Sequence, residues 1–271
     1  GTKADPFQGL DQAVKHAEPG TLFLLHKGTY VKGYCKNNTW TLLREADGKK
    51  VPVSGRPGKP IIFRGAGDGQ AVLDGGGDKD TRGRLISACG GSWTTSHIWL
   101  EDLTICGRQY AIVAHKATNW VIRRCKFRKM TKGFTAHNGG FETSRHHFIA
   151  DNVFTGPTKW PREKGIEAFT SIYMTGAGHV VAYNRMENLG DGIHGCGHGN
   201  LSACDWHNND ISICTDDALE TDHCKFNMRV YHNRILNVAH GITAQPSKGG
   251  PVYIYRNLIY NATSSPFQLH N

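Results

Sequence analysis

The stretch VVAYNRM at residues 180–186 is a short apolar strand pattern that is interrupted at Asn184 and then resumes. Close variants of it recur along the chain. They are IWLEDL at 98–103, VIRRCKF at 121–127, FIADNVF at 148–154, WHNNDI at 206–211, VYHNRI at 230–235 and IYRNLI at 254–259. The marker residues of these copies are Asp102, Cys125, Asn152, Asn184, Asn209, Asn233 and Asn257. Successive markers are 23, 27, 32, 25, 24 and 24 residues apart, which indicates a repeat of about 24 residues.

A repeat of this length predicts a solenoid of short parallel strands. A unit of about 24 residues holds two or three short strands and is too short for a propeller blade. Strands of successive coils then stack at about 4.8 Å. The recurring Asn can take the left-handed conformation at a bend, and its amide can bond to the amides of neighbouring coils. We therefore predict a parallel β-solenoid, with a β-sandwich as the alternative.

The composition agrees with a single folded domain over residues 1–271. Apolar residues make up 38% of the chain, which excludes intrinsic disorder, and no apolar run is long enough to predict a transmembrane helix. We predict an N-terminal cap at residues 1–20 with a short helix at 11–17, and inserted loops at 33–59 and 155–168. The last repeat has no evident cap, so we expect a further chain segment or a protein partner at the C-terminal open end.

The charge and the cysteines indicate a partner and a location. The formal net charge of +9 predicts attraction to an anionic partner. Lys and Arg are scattered, which disfavours nucleic acid and favours an acidic polysaccharide or oligosaccharide. The eight cysteines form no CxxC pair, which argues against a zinc ribbon, and their even number permits disulfides. We predict a secreted or cell-surface protein without a membrane span.

Short motifs near the start of the chain add a resemblance to a known family. They are AEPGT at 17–21, KGTY at 27–30, RGAG at 64–67 and VLDG at 72–75, followed by the Asn-marked repeats. Together they resemble the pectin-lyase-like superfamily. The resemblance implies an all-β fold, a right-handed parallel β-helix of about ten coils with a short N-terminal capping helix. That superfamily contains lyases, hydrolases, epimerases, tailspikes and adhesins, so function has to be argued from the site.

A further set of residues follows the markers by about eight positions, and in stacked coils these residues would form a column. Its segments are KGFT at 132–135, DGIH at 191–194, DALE at 217–220 and HGIT at 240–243. One coil separates Asp191 from Asp217, and another separates Asp217 from His240, so we expect about 5 Å per step. The small Gly192 and Gly241 would form the floor of a groove. The ionisable residues expected at this point are Asp191, His194, Asp216, Asp217, Glu220, Asp222 and His240.

The first interpretation of this column is glycoside hydrolysis. Carboxylates placed this close repel each other, which raises one pKa and provides an acid and a base at the same pH. The candidate catalytic acids are Asp191, Asp216 and Asp217, with His240 as a tuning or relay group. The Asp216-Asp217 pair and His240-Gly241 also resemble motifs of polygalacturonase-like glycoside hydrolases. The Arg-Ile-Lys clamp of that family has no counterpart at residues 268–270.

The second interpretation is a Ca²⁺-assisted polysaccharide lyase in the same groove, whereas a hydrolase would need no cofactor. The oxygen ligands that Ca²⁺ prefers would come from Asp191, Asp216, Asp217, Glu220 and Asp222. The resemblance to β-helix lyases implies that such a metal neutralises a uronate carboxylate before a base removes the neighbouring proton. The candidate bases are Lys132, Lys225 and Arg229, of which Lys132 lies in the same column.

Substrate contacts are expected from residues around the groove. They are His194, Glu220, Lys225, Arg229, Trp160 and Tyr173. A third interpretation is a non-catalytic β-helix that binds glycans or forms part of an extracellular assembly. We interpret His194, Cys196 and His198 on their Gly-rich turn as incidental rather than as a transition-metal site.

Overall fold

The computed structural model describes residues 1–2, 4–31, 39–78, 80–88, 93–137, 144–160, 169–195 and 201–269. One short helix, α1, covers Leu10–Lys15. The strands in the first half of the chain are β1 Leu22–Leu25, β2 Gly28–Val31, β3 Trp40–Thr41, β4 Leu43–Ala46, β5 Lys49–Pro52, β6 Ile61–Gly65, β7 Ala71–Asp74, β8 Arg84–Ser87, β9 Ile98–Glu101, β10 Leu103–Cys106, β11 Tyr110–Val113, β12 Val121–Arg123, β13 Lys126–Arg128 and β14 Lys132–Ala136. The strands in the second half are β15 Phe148–Ala150, β16 Val153–Thr155, β17 Thr170–Met174, β18 Gly176–Ala177, β19 Val180–Ala182, β20 Arg185–Leu189, β21 Asp191–Gly195, β22 Leu201–Ser202, β23 Asp205–His207, β24 Asp210–Glu220, β25 Met228–Tyr231, β26 Arg234–Ala244, β27 Val252–Tyr255 and β28 Leu258–Leu269.

The strands form a parallel β-helix with three faces. The first face is a nine-stranded sheet of β1, β6, β9, β12, β15, β19, β23, β25 and β27. The second face runs from β2 through β7, β10, β13, β16 and β20, and the third from β3 through β8, β11, β14, β17 and β21. The long strands β24, β26 and β28 continue both, because the start of β24 pairs with β20 and its end pairs with β21. The predicted all-β parallel β-helix with its short N-terminal helix is confirmed.

The core is a column of apolar side chains enclosed by the coils. Phe127 and Phe154, which lie opposite each other on β13 and β16, stack with their ring centroids 4.5 Å apart. Trp120 and Trp206 are fully buried. Burying a large apolar side chain contributes about 1.5–3 kcal/mol, so stacked coils stabilise one another along the whole column.

A ladder of asparagines joins the last coils at the corner between the first and second faces. Its members are Asn152, Asn184, Asn209, Asn233 and Asn257. Each side-chain Nδ2 donates to Oδ1 of the next ladder residue over 2.9–3.0 Å. The backbone N–H of each residue donates to that same oxygen over 3.0–3.1 Å. Because Asn152, Asn184, Asn209 and Asn233 are almost entirely buried, the ladder satisfies polar groups that water does not reach.

The expectation that the marker asparagines themselves adopt the left-handed conformation is wrong. The residue before each one does so, for example Tyr183 and His232 with φ of 57° and 54°. That residue turns the corner, which leaves the Asn side chain directed along the stack. The first marker is also displaced by one position, since the register of Thr104 with Lys126 places Leu103, not Asp102, opposite Cys125.

The inserted segments differ from simple loops. Within the described part of 33–59, Trp40 and Thr41 pair with β8 as the first strand of the third face, and β4 and β5 form an antiparallel hairpin. The described part of 155–168 carries no strand after Thr155. Helix α1 begins one residue before the predicted 11–17 and ends two residues earlier, and it buries Leu10, Ala13 and Val14.

The cysteines in the described ranges are unpaired. They are Cys106, Cys125, Cys204, Cys214 and Cys224, all buried as free thiols, so they give no support to the disulfides that the even count permits; Cys35, Cys89 and Cys196 lie outside the described residues. Across the described ranges, we find no helix with the length and hydropathy needed to cross a membrane.

Candidate active site on the third face

The third face brings the predicted acids together in register. Its strands align Asp191 with Asp217, since Ile193 pairs with Leu219 and His194 with Glu220, and Asp217 then pairs with His240. Adjacent strands lie about 4.8 Å apart, so residues from three coils meet along one line. The glycines between them do not form a groove floor. A Cβ on Gly192 would lie 2.3 Å from the Ala218 carbonyl oxygen, so glycine is required there for close packing between coils.

Thr170 is a member of this column that the sequence did not predict. It pairs with Lys132 on one side and with Asp191 on the other. Its Oγ1 donates to Asp191 Oδ2 over 3.2 Å. Fourteen residues separate β16 from β17, so positions 132 and 170 are 38 residues apart and a search at intervals of about 24 residues misses Thr170.

His194 holds two carboxylates on neighbouring coils. Its Nδ1 lies 2.5 Å from Glu220 Oε2 and 3.5 Å from Asp191 Oδ2. Burial alone would lower the pKa of His194, but hydrogen bonds and charges from the two carboxylates raise it to about 9. At neutral pH this imidazole is therefore a cation that neutralises part of the surrounding negative charge.

Asp217 is the most perturbed carboxyl group of the cluster. Burial raises its pKa, and the charges of Asp216, Glu220, Asp191 and Asp222 raise it further, to about 8. Only 9% of the residue is exposed. Its Oδ2 accepts a hydrogen bond from Thr243 Oγ1 at 3.5 Å, whereas Oδ1 is buried without a partner among the described residues. Asp217 therefore retains a proton at neutral pH.

We call the five acids at this point, Asp191, Asp216, Asp217, Glu220 and Asp222, the acid cluster. Asp216 is the exposed member, and possible ligand atoms of Asp216, Asp217 and His240 lie within 4.8 Å of one another. Asp191, His194 and Glu220 form a second such group. Hard carboxylate oxygens and the unpartnered Asp217 Oδ1 fit a divalent cation such as Ca²⁺ as well as they fit a proton.

Two residues orient the edges of the acid cluster. His240 Nδ1 lies 2.8 Å from Ser265 Oγ, the next residue in its column, which fixes the imidazole ring. Asp222, in the turn after β24, accepts a hydrogen bond from the backbone N–H of Gln245 at 2.8 Å. The turn thereby holds a further negative charge close to Asp217.

Lys132 and Tyr173 continue the site away from the acids. Lys132 Nζ lies 4.2 Å from the centroid of the Tyr173 ring, and that ring is 4.6 Å from the His194 ring. An ammonium over an aromatic face is an attractive contact. The site is therefore cationic and aromatic near Lys132 and acidic near Asp217, which is three strands further along the third face.

Three other predicted residues are not members of the column on the third face. Arg229 is on β25 of the first face, where its guanidinium pairs with both oxygens of Asp205, so the structure does not bring it to the acid cluster. Lys225 lies in the turn between β24 and β25. Trp160 follows β16 on the connection between the second and third faces. Of the incidental His-Cys-His motif, Cys196 and His198 lie outside the described residues.

The chain matches no protein-family model, and no curated protein matches it in sequence. Among solved structures it is similar to alginate lyase from Paenibacillus sp. str. FPU-7, with a TM-score of 0.54 and 14% identity over 97% of this chain and 96% of that one. It is also similar to pectate lyase Pel9A, with a TM-score of 0.56 and 14% identity over 93% and 71% of the two chains. These likenesses show the fold, a parallel β-helix, and leave the reaction to be argued from the residues.

Proposed function

We propose that the protein is an enzyme that cleaves an acidic polysaccharide by glycoside hydrolysis at the acid cluster. The observation that carries this proposal is the register of the third face, which places the buried Asp217 between Asp191 and His240 on neighbouring coils, with its Oδ1 unpartnered among the described residues. A buried carboxyl group that keeps its proton at neutral pH beside ionised carboxylates is the pairing of acid and base that glycosidic cleavage requires.

In the proposed reaction Asp217 is the proton donor. It gives its proton to the glycosidic oxygen as the bond between that oxygen and the anomeric carbon breaks. Asp216, exposed and beside Asp217, takes a proton from the water that attacks the anomeric carbon. His240, held by Ser265, relays the proton that Asp216 has taken from water back to Asp217, which resets the pair for the next turnover. His194 keeps Asp191 and Glu220 in place without adding net negative charge.

The acidic nature of the substrate is inferred from charge. The chain carries a formal net charge of +9, and Lys132 lies in the catalytic column. The two structural neighbours are named as lyases of alginate and of pectate, which are acidic polymers. Secretion or exposure at the cell surface, predicted from the sequence, is consistent with a polymeric substrate and stays a prediction.

A second candidate is Ca²⁺-assisted elimination at the same place. The specific observation in its favour is that two groups of possible ligands lie side by side, each with its donor atoms within 4.8 Å. The residues that would hold the ion are Asp191, Asp216, Asp217, Glu220 and Asp222. When bound, a divalent cation would neutralise the carboxylate of a uronate residue. Lys132 would then be the residue that removes the neighbouring proton.

The products distinguish the two reactions. Incubation with acidic polysaccharides is expected to release reducing ends without the ultraviolet absorbance of an unsaturated uronate, and a chelator is expected to leave the rate unchanged. Unsaturated products together with loss of rate in chelator would replace hydrolysis by elimination. Binding without any cleavage across a panel of acidic glycans would contradict both and favour the non-catalytic interpretation.

The alkaline limb of the pH profile tests the role of Asp217. Since the proton donor must be protonated, kcat/KM should fall as pH rises through about 8, the pKa of Asp217 in the folded protein. The measurement is kcat/KM from about pH 5 to about pH 10, with circular dichroism to show that the fold persists. A rate that stays constant to the upper end of this range would rule out Asp217 as the acid.

A further inference from the structure

A pocket of about 380 Å³ lies on the third face beside the acid cluster. It is lined by Arg84, Tyr110, Val113, His115, Lys132, Thr135, His137 and Tyr173, and we call it the anion pocket. Its size is within the range of small-molecule sites, which is about 300–1,000 Å³. Only Lys132 and Tyr173 of these residues were expected at the site from the sequence.

The lining of the anion pocket carries one sign of charge. It contains two permanent cations, Arg84 and Lys132, two imidazoles and no carboxylate. Burial lowers the pKa of His115 to about 4, with smaller effects from Arg84 and His137, so its ring is neutral at pH 7 and can donate one hydrogen bond. Clefts lined by one sign of charge concentrate ions of the opposite sign.

The register connects this pocket to the acid cluster. Arg84, Tyr110 and Lys132 occupy successive strands of the same column, and Thr170 and Asp191 continue it. Two to three strand steps separate Lys132 from Asp191 and Asp217, which is about 10–14 Å. A glycan lying along the face would therefore reach the pocket with a residue other than the one being cleaved.

We propose that the anion pocket binds the anionic group, carboxylate or sulfate, of a sugar residue remote from the cleaved bond, and thereby selects the substrate. This inference rests on the proposed function, which places the glycan along the third face from the acid cluster to the anion pocket. Arg84 supplies a guanidinium at the outer edge, and a planar fork of this kind matches carboxylate and sulfate oxygens. Tyr110 and Thr135 provide hydroxyls to the sugar.

Calorimetric binding to the Asp217→Asn protein tests the proposal without interference from turnover. The ligands are an oligouronate, its carboxyl-reduced neutral counterpart and a sulfated neutral oligosaccharide of equal length. We expect the oligouronate or the sulfated chain to bind at least about tenfold more tightly than the neutral one, a gap that narrows with salt. The stronger of the two anionic ligands identifies the group. Equal affinity for all three would overturn the proposal.

A matched pair of substitutions locates the binding. Arg84→Gln should weaken binding of the preferred anionic ligand by about tenfold and leave the neutral ligand unaffected. Arg128→Gln, an exposed arginine on β13 of the second face, should change neither. An unchanged affinity in Arg84→Gln would place the anion elsewhere. If the Arg84→Gln variant does not fold, the comparison of the three ligands on the Asp217→Asn protein still tests the proposal. Absence of any charge preference in the protein with Arg84 intact, together with cleavage by the wild type, would refute the pocket alone, whereas full cleavage by Asp217→Asn would refute the proposed function alone.

Discussion

Asp217→Asn is expected to lower kcat by a factor of about 10³ or more, because an amide has no acidic proton to give to the leaving oxygen. The substitution keeps the size of the side chain, and its amide oxygen can still accept the hydrogen bond from Thr243. Substrate binding should therefore persist, so that the loss is seen in kcat rather than in KM. The measurement is initial rate against substrate concentration on the best acidic polysaccharide.

The same substitution should stabilise the fold at neutral pH. An unfolded Asp ionises near pH 4, whereas the folded Asp217 holds its proton to about pH 8. Stability therefore falls as pH rises between these two values, since the unfolded chain has already released the proton that the folded chain retains. Removing this titration should raise stability at pH 7 by about 1.4 kcal/mol for each pH unit above the unfolded pKa, a few kcal/mol in all, with about 2–4 °C in Tm for each kcal/mol.

Asp210→Asn is the matched control. Asp210 lies on the same strand, β24, but pairs with Arg234 at 2.7 Å on the exposed surface of the second face. It should retain full activity and change Tm by little, because surface ion pairs contribute about 0–1 kcal/mol. Wild-type rates in Asp217→Asn would remove Asp217 from the mechanism, and an equal loss in both variants would attribute the effect to the strand rather than to the acid.

Asn209→Ala is expected to have the largest effect on stability. Asn209 accepts hydrogen bonds from the backbone and side chain of Asn184 and donates to Asn233 and to the Val181 carbonyl oxygen. Its removal leaves buried partners on both neighbouring coils unsatisfied. Each such group costs about 1–3 kcal/mol, so we expect a total loss of about 4 kcal/mol, measured by denaturant unfolding.

Asn257→Ala gives the graded comparison. Asn257 is the last member of the ladder in the described chain, is partly exposed, and connects to Asn233 on one side. Its loss should therefore cost less than half as much as the loss of Asn209. If both variants lose a similar and small part of the free energy of unfolding, the ladder does not stabilise the stacked coils.

The periodicity of the sequence was sufficient to predict the fold. Parallel strands stack coil on coil, so the spacing of the asparagines reports the length of each coil directly. The exact corner conformation was not readable, because residues as different as Tyr183, His232 and Arg256 occupy the left-handed position. That position is imposed by the ladder and by packing above and below, which no local propensity encodes. For the same reason the strand at Trp40–Thr41 was hidden inside a segment that is rich in glycine and lysine.

The site was predictable where whole coils separate its members and unpredictable where they do not. Asp191, Asp217 and His240 follow from coil spacing alone. Arg229 was misplaced because it lies only seven residues after Asp222, yet the turn between β24 and β25 carries it to a different face. Continuing the column towards the N-terminus would have found two more members. Tyr110 lies 22 residues before Lys132, and Arg84 lies 26 residues before Tyr110.

The corners of the β-helix differ in how freely their length varies. Between the first and second faces, two residues turn the chain at every coil from β12 onward, and the ladder occupies one of them. From β8 onward, the connections from the third face to the first range from five residues, between β17 and β19, to eleven, between β14 and β15. If the proposed function holds, exchanging these longer connections would alter the walls around the bound sugar while leaving the stacking of the coils intact. Under the proposed function, a library of sequences at these connections is a route to new glycan selectivity.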